Sequence, residues 1–179
     1  MMEKDGFNLA LFALSLFILI LLPVGSAEAR DSLSWLTYQE AESLRVISGK
    51  YVLIDIYKAT CGWCRKMQRT TYADSAVIGL LKESFLPVRV DLLSGRKLKV
   101  NGVELRERDI ARALKVRGTP TTIFMDSTGK VVVKVPGYIP PQQFVYLLRY
   151  ISGGWYKDLT FDEYYESEKI LERERSRKK

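Results

Sequence analysis

Tyr51-Val52-Leu53-Ile54-Asp55-Ile56-Tyr57 is an unbroken β-branched and aromatic run, and shortly after it stand Cys61 and Cys64, the only two cysteines of the chain. A run without polar alternation reads as a strand buried on both faces, which requires helices above and below its sheet. The cysteines follow where such a strand must turn into a helix. A bridge across two intervening residues closes almost no loop and hardly constrains the unfolded chain. The pair is therefore placed for chemistry rather than for stapling.

The flanking pattern supports a mixed α/β domain. Asp31 to Gly49 reads as a helix, with Ser34 or Thr37 as cap, Glu40 in capping-box spacing after Thr37, and Leu44 and Ile47 continuing an apolar stripe. Cys61 to about Thr70 and Ser75 to Phe85 read as helices separated at Thr71-Tyr72, and Phe85 to Asp91 as a second buried strand. Asn101-Gly102 between alternating apolar residues predicts a hairpin over 98–105. Arg106 to Lys115 is amphipathic, with Ile110, Ala113 and Leu114 on one side. Thr121–Met125 and Val131–Val135 are strands joined by the turn Asp126 to Lys130. Gln142 to Ile151 is the last domain helix, and Gly153-Gly154 marks a boundary. Beyond it, Tyr156 to Tyr165 is aromatic enough to dock back, and Glu166 to Lys179 is a charged helix or frayed tail.

A Cys-x-x-Cys that opens a helix has a physical reason to be redox-active. The helix N-terminus carries unpaired N–H groups and roughly half a positive charge, which favours the thiolate at Cys61. Lys58, Arg65 and Lys66 add positive charge nearby. Cys64 lies one turn in, where packing shields it, so Cys61 attacks and Cys64 resolves. Zinc requires three or four protein ligands, and the chain has no histidine. Haem attachment requires a histidine after the second cysteine, where Arg65 stands. Asp55, six residues before Cys61, is a carboxylate in an apolar strand. Burial raises its pKa and makes it able to accept or supply the proton on Cys64; a strand-end aspartate facing solvent is the other reading. Thr119-Pro120 precedes a strand, where a cis bond in a tight turn is the economical solution.

The N-terminus is a different material. Leu9 to Leu22 is apolar apart from Ser15, and Pro23, Gly25 and Ala27-Glu28-Ala29 follow, a pattern expected of a secretory signal peptide cut after Ala29. An uncleaved N-terminal anchor is the alternative, and both place the remainder outside the cytoplasm. Residues 1–29 hold one lysine and three acids, so without them 28 basic and 21 acidic side chains become 27 and 18, a net charge of +9. The cations at Arg45, Lys50, Lys82, Arg96, Lys99, Arg106 and the tail are scattered, with no aromatic-interleaved stripe. They read as a basic solvated surface rather than a nucleic-acid site.

Leu53-Ile-Asp55-x-Tyr57-x-x-x-Cys61-Gly62-x-Cys64-Arg65 resembles the first half of the thioredoxin family. Arg117-Gly118-x-Pro120-Thr121, the strand–turn–strand and Gly137 before the last helix resemble its second half. The resemblance spans about residues 34–152. It implies a three-layer α/β/α sandwich with a central mixed sheet, Cys61 as nucleophile, Cys64 as resolving thiol, Asp55 as buried proton relay, and a cis Pro120 against the disulfide. It also implies that Thr119 offers its backbone to a bound partner; Trp63, Thr119 and Pro120 are expected to meet that partner, and Gly62, Tyr57, Lys58, Arg65 and Gly137 to support the site. Gly62-Trp63 between the cysteines, Tyr57 in place of the usual tryptophan, the hairpin insertion and the aromatic tail are departures. They look more like the periplasmic thioredoxin-related proteins of the SoxW type, and are also similar to the C-terminal domain of the disulfide reductase of the bacterial envelope.

The expected organisation is an export segment or anchor at 1–29, a thioredoxin-like domain at 30–152 and a helical extension at 153–179. The expected activity is reduction of protein disulfides by a periplasmic or otherwise extracytoplasmic monomer. It would use no cofactor or metal beyond its own Cys61–Cys64 disulfide, and would draw electrons from a membrane-embedded thiol carrier. An oxidase or isomerase, or a binding or chaperone module that uses the groove without turnover, is the alternative. Membrane contact is expected only through the N-terminal segment if it is uncleaved.

Overall fold

In the computed structural model residues 32–100 and 102–178 are described. The expected export segment at 1–29 and Asn101 of the expected Asn-Gly turn lie outside the described residues.

Helix α1 (Tyr38–Ser48) is opened by a capping box: Thr37 Oγ1 accepts from the Glu40 N–H at 3.2 Å, and the Glu40 carboxylate accepts from the Thr37 N–H at 2.7 Å. Its start lies well after Asp31, because the preceding residues serve the sheet instead. The Leu36 N–H donates to the Pro87 carbonyl at 2.8 Å, and the Leu36 carbonyl accepts from the Arg89 N–H at 3.2 Å. The stripe expected through Leu44 and Ile47 is not the packed face. Those residues are 42% and 86% exposed, and Ala41 is the buried residue of the helix.

Strand β1 (Tyr51–Tyr57) is central. It pairs in parallel with β2 (Phe85–Asp91) and antiparallel with β5 (Thr121–Met125), and β6 (Val131–Pro136) closes the order β2-β1-β5-β6. Helices α2 (Gly62–Thr70) and α3 (Ser75–Ser84) carry the chain from β1 to β2. The hairpin forms a separate two-stranded sheet of β3 (Lys97–Val100) and β4 (Val103–Arg106). Helix α4 (Glu107–Ala113) follows, and α5 (Pro141–Ser152) completes the sandwich. On α4 the buried face holds Ile110 and Ala111, whereas Ala113, expected there, is exposed. The helix is fixed by Glu107, itself buried, whose carboxylate accepts from Arg96 Nη2 at 2.8 Å and from the Asp91 N–H at 3.3 Å.

Strand alternation divides the core in two. Leu53, Phe85 and Phe124 pack with Met67, Tyr72, Leu81 and Phe144 on one face, beneath α2, α3 and α5. Val52, Ile54, Ile56, Val88 and Ile123 pack with Ala41, Ile110 and Ala111 on the other, beneath α1 and α4. Asp55 has the parity of Leu53 and so enters the aromatic half. After a 3-10 turn at Trp155–Lys157, the C-terminal residues form one continuous helix α6 (Phe161–Arg177) with its own capping box at Thr160 and Glu163. Tyr164 is 3% exposed, its ring 5.4 Å from that of Tyr150, whose hydroxyl donates to the Leu159 carbonyl at 2.6 Å.

Tyr164→Ala is expected to lower stability by about 3 kcal/mol, since it removes a large buried ring that anchors α6. Ile170→Ala, at a position 53% exposed on the same helix, is expected to cost less than about 0.5 kcal/mol. Urea unfolding of both variants checks this, and equal effects would mean that α6 contributes nothing through its docked face.

Candidate active site

β1 delivers the chain from the centre of the sheet to the first turn of α2, and Cys61 is the N-cap of that helix. Its Sγ accepts from the Cys64 N–H at 3.1 Å, so the sulfur occupies the place where a helix start attracts negative charge. Cys61 and Cys64 form a disulfide with their Cα atoms 5.2 Å apart. Cys61 is 8% exposed and Cys64 5%. Gly62, Trp63 and Arg65 belong to the same turn; Gly62 and Arg65 are exposed, and Trp63 is 58% exposed. The Lys58 carbonyl accepts from the Cys61 N–H at 3.0 Å, and Arg65 Nη1 donates to the Ala59 carbonyl at 2.8 Å, which ties the loop to the helix.

The second half of the chain closes over the sulfurs. The Thr119–Pro120 bond is cis, and the Thr119 carbonyl oxygen stands 3.5 Å from Cys61 Sγ. Thr119 Oγ1 is buried without a hydrogen-bond partner. The Pro120 carbonyl accepts from the Gly137 N–H at 2.9 Å, and Gly137 has φ +92°, a conformation that suits glycine alone at this contact. These two segments, distant in sequence, thus meet at one sulfur.

Behind the disulfide lies a buried polar group that the strand alone does not explain. Asp55 is 2% exposed, and its Oδ2 accepts from both Nε and Nη2 of Arg89 at 3.1 Å. The register places Arg89 directly beside Asp55 on β2. Arg89 is sandwiched between Trp35 and Tyr57, its Cζ 4.7 Å and 4.6 Å from their ring centroids. On the other side of Asp55 are Thr122, its register partner on β5, and Tyr72; both hydroxyls are buried and lack a well-formed hydrogen bond. Desolvation pushes the Asp55 carboxyl above the ordinary carboxylate value, and Arg89 pulls back against it without prevailing. Burial, and then the charge of Asp55, push the Tyr72 hydroxyl well above its own. A cleft of about 130 Å³ lined by Tyr57, Lys58, Ala59, Cys64, Arg65, Gln68 and Arg89 joins Cys64 to the guanidinium that holds Asp55. Gln68 Oε1 is buried beside it without a partner.

Several residues at the site are not foreseen from sequence. Trp35 falls in a stretch read as helix, and Tyr72 in one read only as a helix break. Tyr138 follows Gly137 without any motif of its own; its ring is 5.6 Å from that of Trp63, and its hydroxyl is 3.1 Å from Thr70 Oγ1. Among the described residues no group of three or more histidine, cysteine, aspartate or glutamate side chains could hold a metal ion.

The thioredoxin-like domain family matches this chain over residues 38–152, and the chain belongs to that family. It is similar to the thiol:disulfide interchange proteins DsbD of Actinobacillus pleuropneumoniae, 27% identical over 106 residues, and of Ralstonia nicotianae, 28% identical over 115 residues. The aligned parts are 58% and 64% of this chain but only 17% of each relative, so the chain spans a small fraction of the curated relatives' length. Among solved structures, a thioredoxin-fold protein from Helicobacter pylori superposes with a TM-score of 0.63 at 21% identity, covering 80% of this chain and 92% of that one. A thioredoxin from Thermus thermophilus gives 0.56 at 27% identity, covering 67% and 87%. The family, these relatives and the Cys61–Cys64 disulfide together support thiol–disulfide oxidoreductase activity.

A carboxyl whose folded pKa is raised binds its proton more tightly in the native state than in the unfolded one. Its ionisation therefore costs stability, and the cost grows as pH rises from the unfolded value through the folded one. Asp55→Asn removes that cost, while Arg89, with its side chain 24% exposed, keeps access to water and its two aromatic neighbours. The variant is expected to be more stable than the parent at pH 7, with a smaller advantage at pH 4. Chemical denaturation across that range reads the difference, and an advantage that shrinks as pH rises would contradict the raised pKa.

Proposed function

We propose that this protein is an exported reductase of protein disulfides that works through its Cys61-Gly62-Trp63-Cys64 centre. The observation that carries the reading is the asymmetry of the pair: Cys61 caps the helix under Thr119, and Cys64 lies one turn inside, beside the cleft leading to Arg89. In the reduced protein the Cys61 thiolate attacks one sulfur of a substrate disulfide. A mixed disulfide forms, and the first substrate thiolate leaves. Cys64 then loses its proton and attacks Cys61 Sγ, which closes the Cys61–Cys64 bond and releases the second thiolate. Two electrons pass from the dithiol to the substrate, whose thiolates take up protons.

Asp55, whose proton affinity desolvation raises above that of an ordinary carboxylate, receives the Cys64 proton in its ionised form across the cleft, in which a few waters fit. Trp63, Thr119 and Pro120 form the platform for the substrate chain, with Tyr57, Lys58, Gly62, Arg65 and Gly137 holding it in shape. The protein acts as a monomer outside the cytoplasm, without cofactor, and a membrane-embedded thiol carrier restores its dithiol. The absence of a histidine between the cysteines favours reduction over oxidation, since no side chain there adds to the stability of the thiolate.

Insulin reduction with dithiothreitol tests the exchange. The parent protein is expected to hasten precipitation and Cys61→Ser to abolish the effect; equal rates would favour a groove that binds without turnover. Cys64→Ser is expected to trap substrates on Cys61 as mixed disulfides, and Asp55→Asn to slow the resolving step more than the first attack. The midpoint potential against glutathione is expected on the reducing side, and a value around −120 mV, the range of strong oxidants, would overturn the direction.

A further inference from the structure

The segments that build the site are one-sided in charge. Residues 57–72 contain Lys58, Arg65, Lys66 and Arg69 and no acid, and residues 111–125 contain Arg112, Lys115 and Arg117 and no acid, in a chain with 21 acidic side chains. Arg112 is paired with Asp109. Arg65 and Lys66, which flank the sulfurs on the first turns of α2, have no carboxylate partner among the described residues. They are nevertheless held. Lys66 Nζ sits 4.8 Å from the Trp63 ring centroid and 4.7 Å from that of Tyr138, whose hydroxyl is in turn engaged with Thr70. Arg65 is fastened to the Ala59 carbonyl. Contact with rings or a carbonyl fixes a cation without cancelling its charge. These side chains have already lost much of the rotamer freedom that binding would otherwise cost them.

From this arrangement, and resting on the exchange reading above, we infer that the face around Cys61 is a docking surface for acidic protein segments. The partner is a chain whose target disulfide is flanked by aspartate or glutamate. Its cysteine enters under Thr119, its apolar side chains meet Trp63 and Tyr138, and its carboxylates reach Lys66 on one side and Arg65 on the other. Fixed cations around a reactive sulfur raise the local concentration of such a partner and repel basic ones. A protein partner fits better than a lipid or nucleic-acid surface, because the cations stand on the helix turns next to a disulfide whose exchange needs a partner sulfur, which neither headgroups nor phosphates carry.

The test uses reduced full-length protein and three synthetic peptides, each with one internal disulfide flanked on both sides by glutamate, glutamine or lysine. Oxidation of the protein is followed by tryptophan fluorescence, and every rate is divided by the rate of the same peptide with dithiothreitol, which removes the effect of flanking charge on the peptide thiols. The glutamate peptide is expected to react about tenfold faster than the lysine peptide at low salt, with the ratio falling toward unity in 0.5 M salt. Arg65→Glu with Lys66→Glu should invert the order, whereas Arg173→Glu with Arg175→Glu, the same charge change on α6, should preserve it. Equal normalised rates, or a faster lysine peptide, overturn the inference. So does the loss of any peptide preference together with binding to phosphatidylglycerol vesicles that the Arg65→Glu, Lys66→Glu protein no longer shows. If none of the three peptides is reduced, it is the exchange reading itself that fails.

Discussion

Strand β1 is paired on both edges and covered on both faces, and the rest of the site follows from that enclosure. A fully buried strand cannot solvate a carboxylate, so Asp55 stays costly to ionise even with Arg89 beside it. The same enclosure makes β1 rigid up to Tyr57, so that the next few residues place Cys61 at a defined point over the N-terminus of α2. One element therefore sets both the position of Cys61 and the proton affinity of the carboxyl behind it.

Arg89 is the joint between these roles. It belongs to β2, yet its guanidinium reaches Asp55, stacks between Trp35 and Tyr57, and forms a wall of the cleft that also contains Cys64. The aromatic sandwich holds the cation where it tempers the carboxyl without forcing it to ionise. Trp35 takes part because residues before α1 lie along β2, with Leu36 bridged to Val88. The short stretch ahead of the first helix is thus part of the site's foundation.

Much of this was legible in the sequence for physical reasons. The undivided apolar run of β1 and the cysteines at a helix start each have few structural solutions, and Thr37 with Glu40 marks a helix start by its own hydrogen bonds. Asp55 stood out because a carboxylate in such a strand conflicts with its surroundings, whereas its partner Arg89 is defined only by the register of β1 with β2. Residues that act through tertiary contact left no such mark. Leu44 and Ile47 fit a helical stripe but face outward, because α1 needs to bury little beyond Ala41 against β2. The buried face of α4 turns on Glu107, whose partner Arg96 lies across the hairpin insertion. Tyr138 and Lys66 become a pair only once Gly137 brings the end of β6 back to α2.

Both cysteines are buried, and what separates them is the helix start: it favours the thiolate at Cys61, the N-cap, over Cys64 one turn inside. Alkylation of the reduced protein with limiting iodoacetamide across pH, with the labelled site read by mass spectrometry, distinguishes the two sulfurs. Cys61 is expected to be modified first, with a midpoint below the value of about 8.5 for a free cysteine. Preferential labelling of Cys64, or a Cys61 midpoint at or above that value, would contradict it.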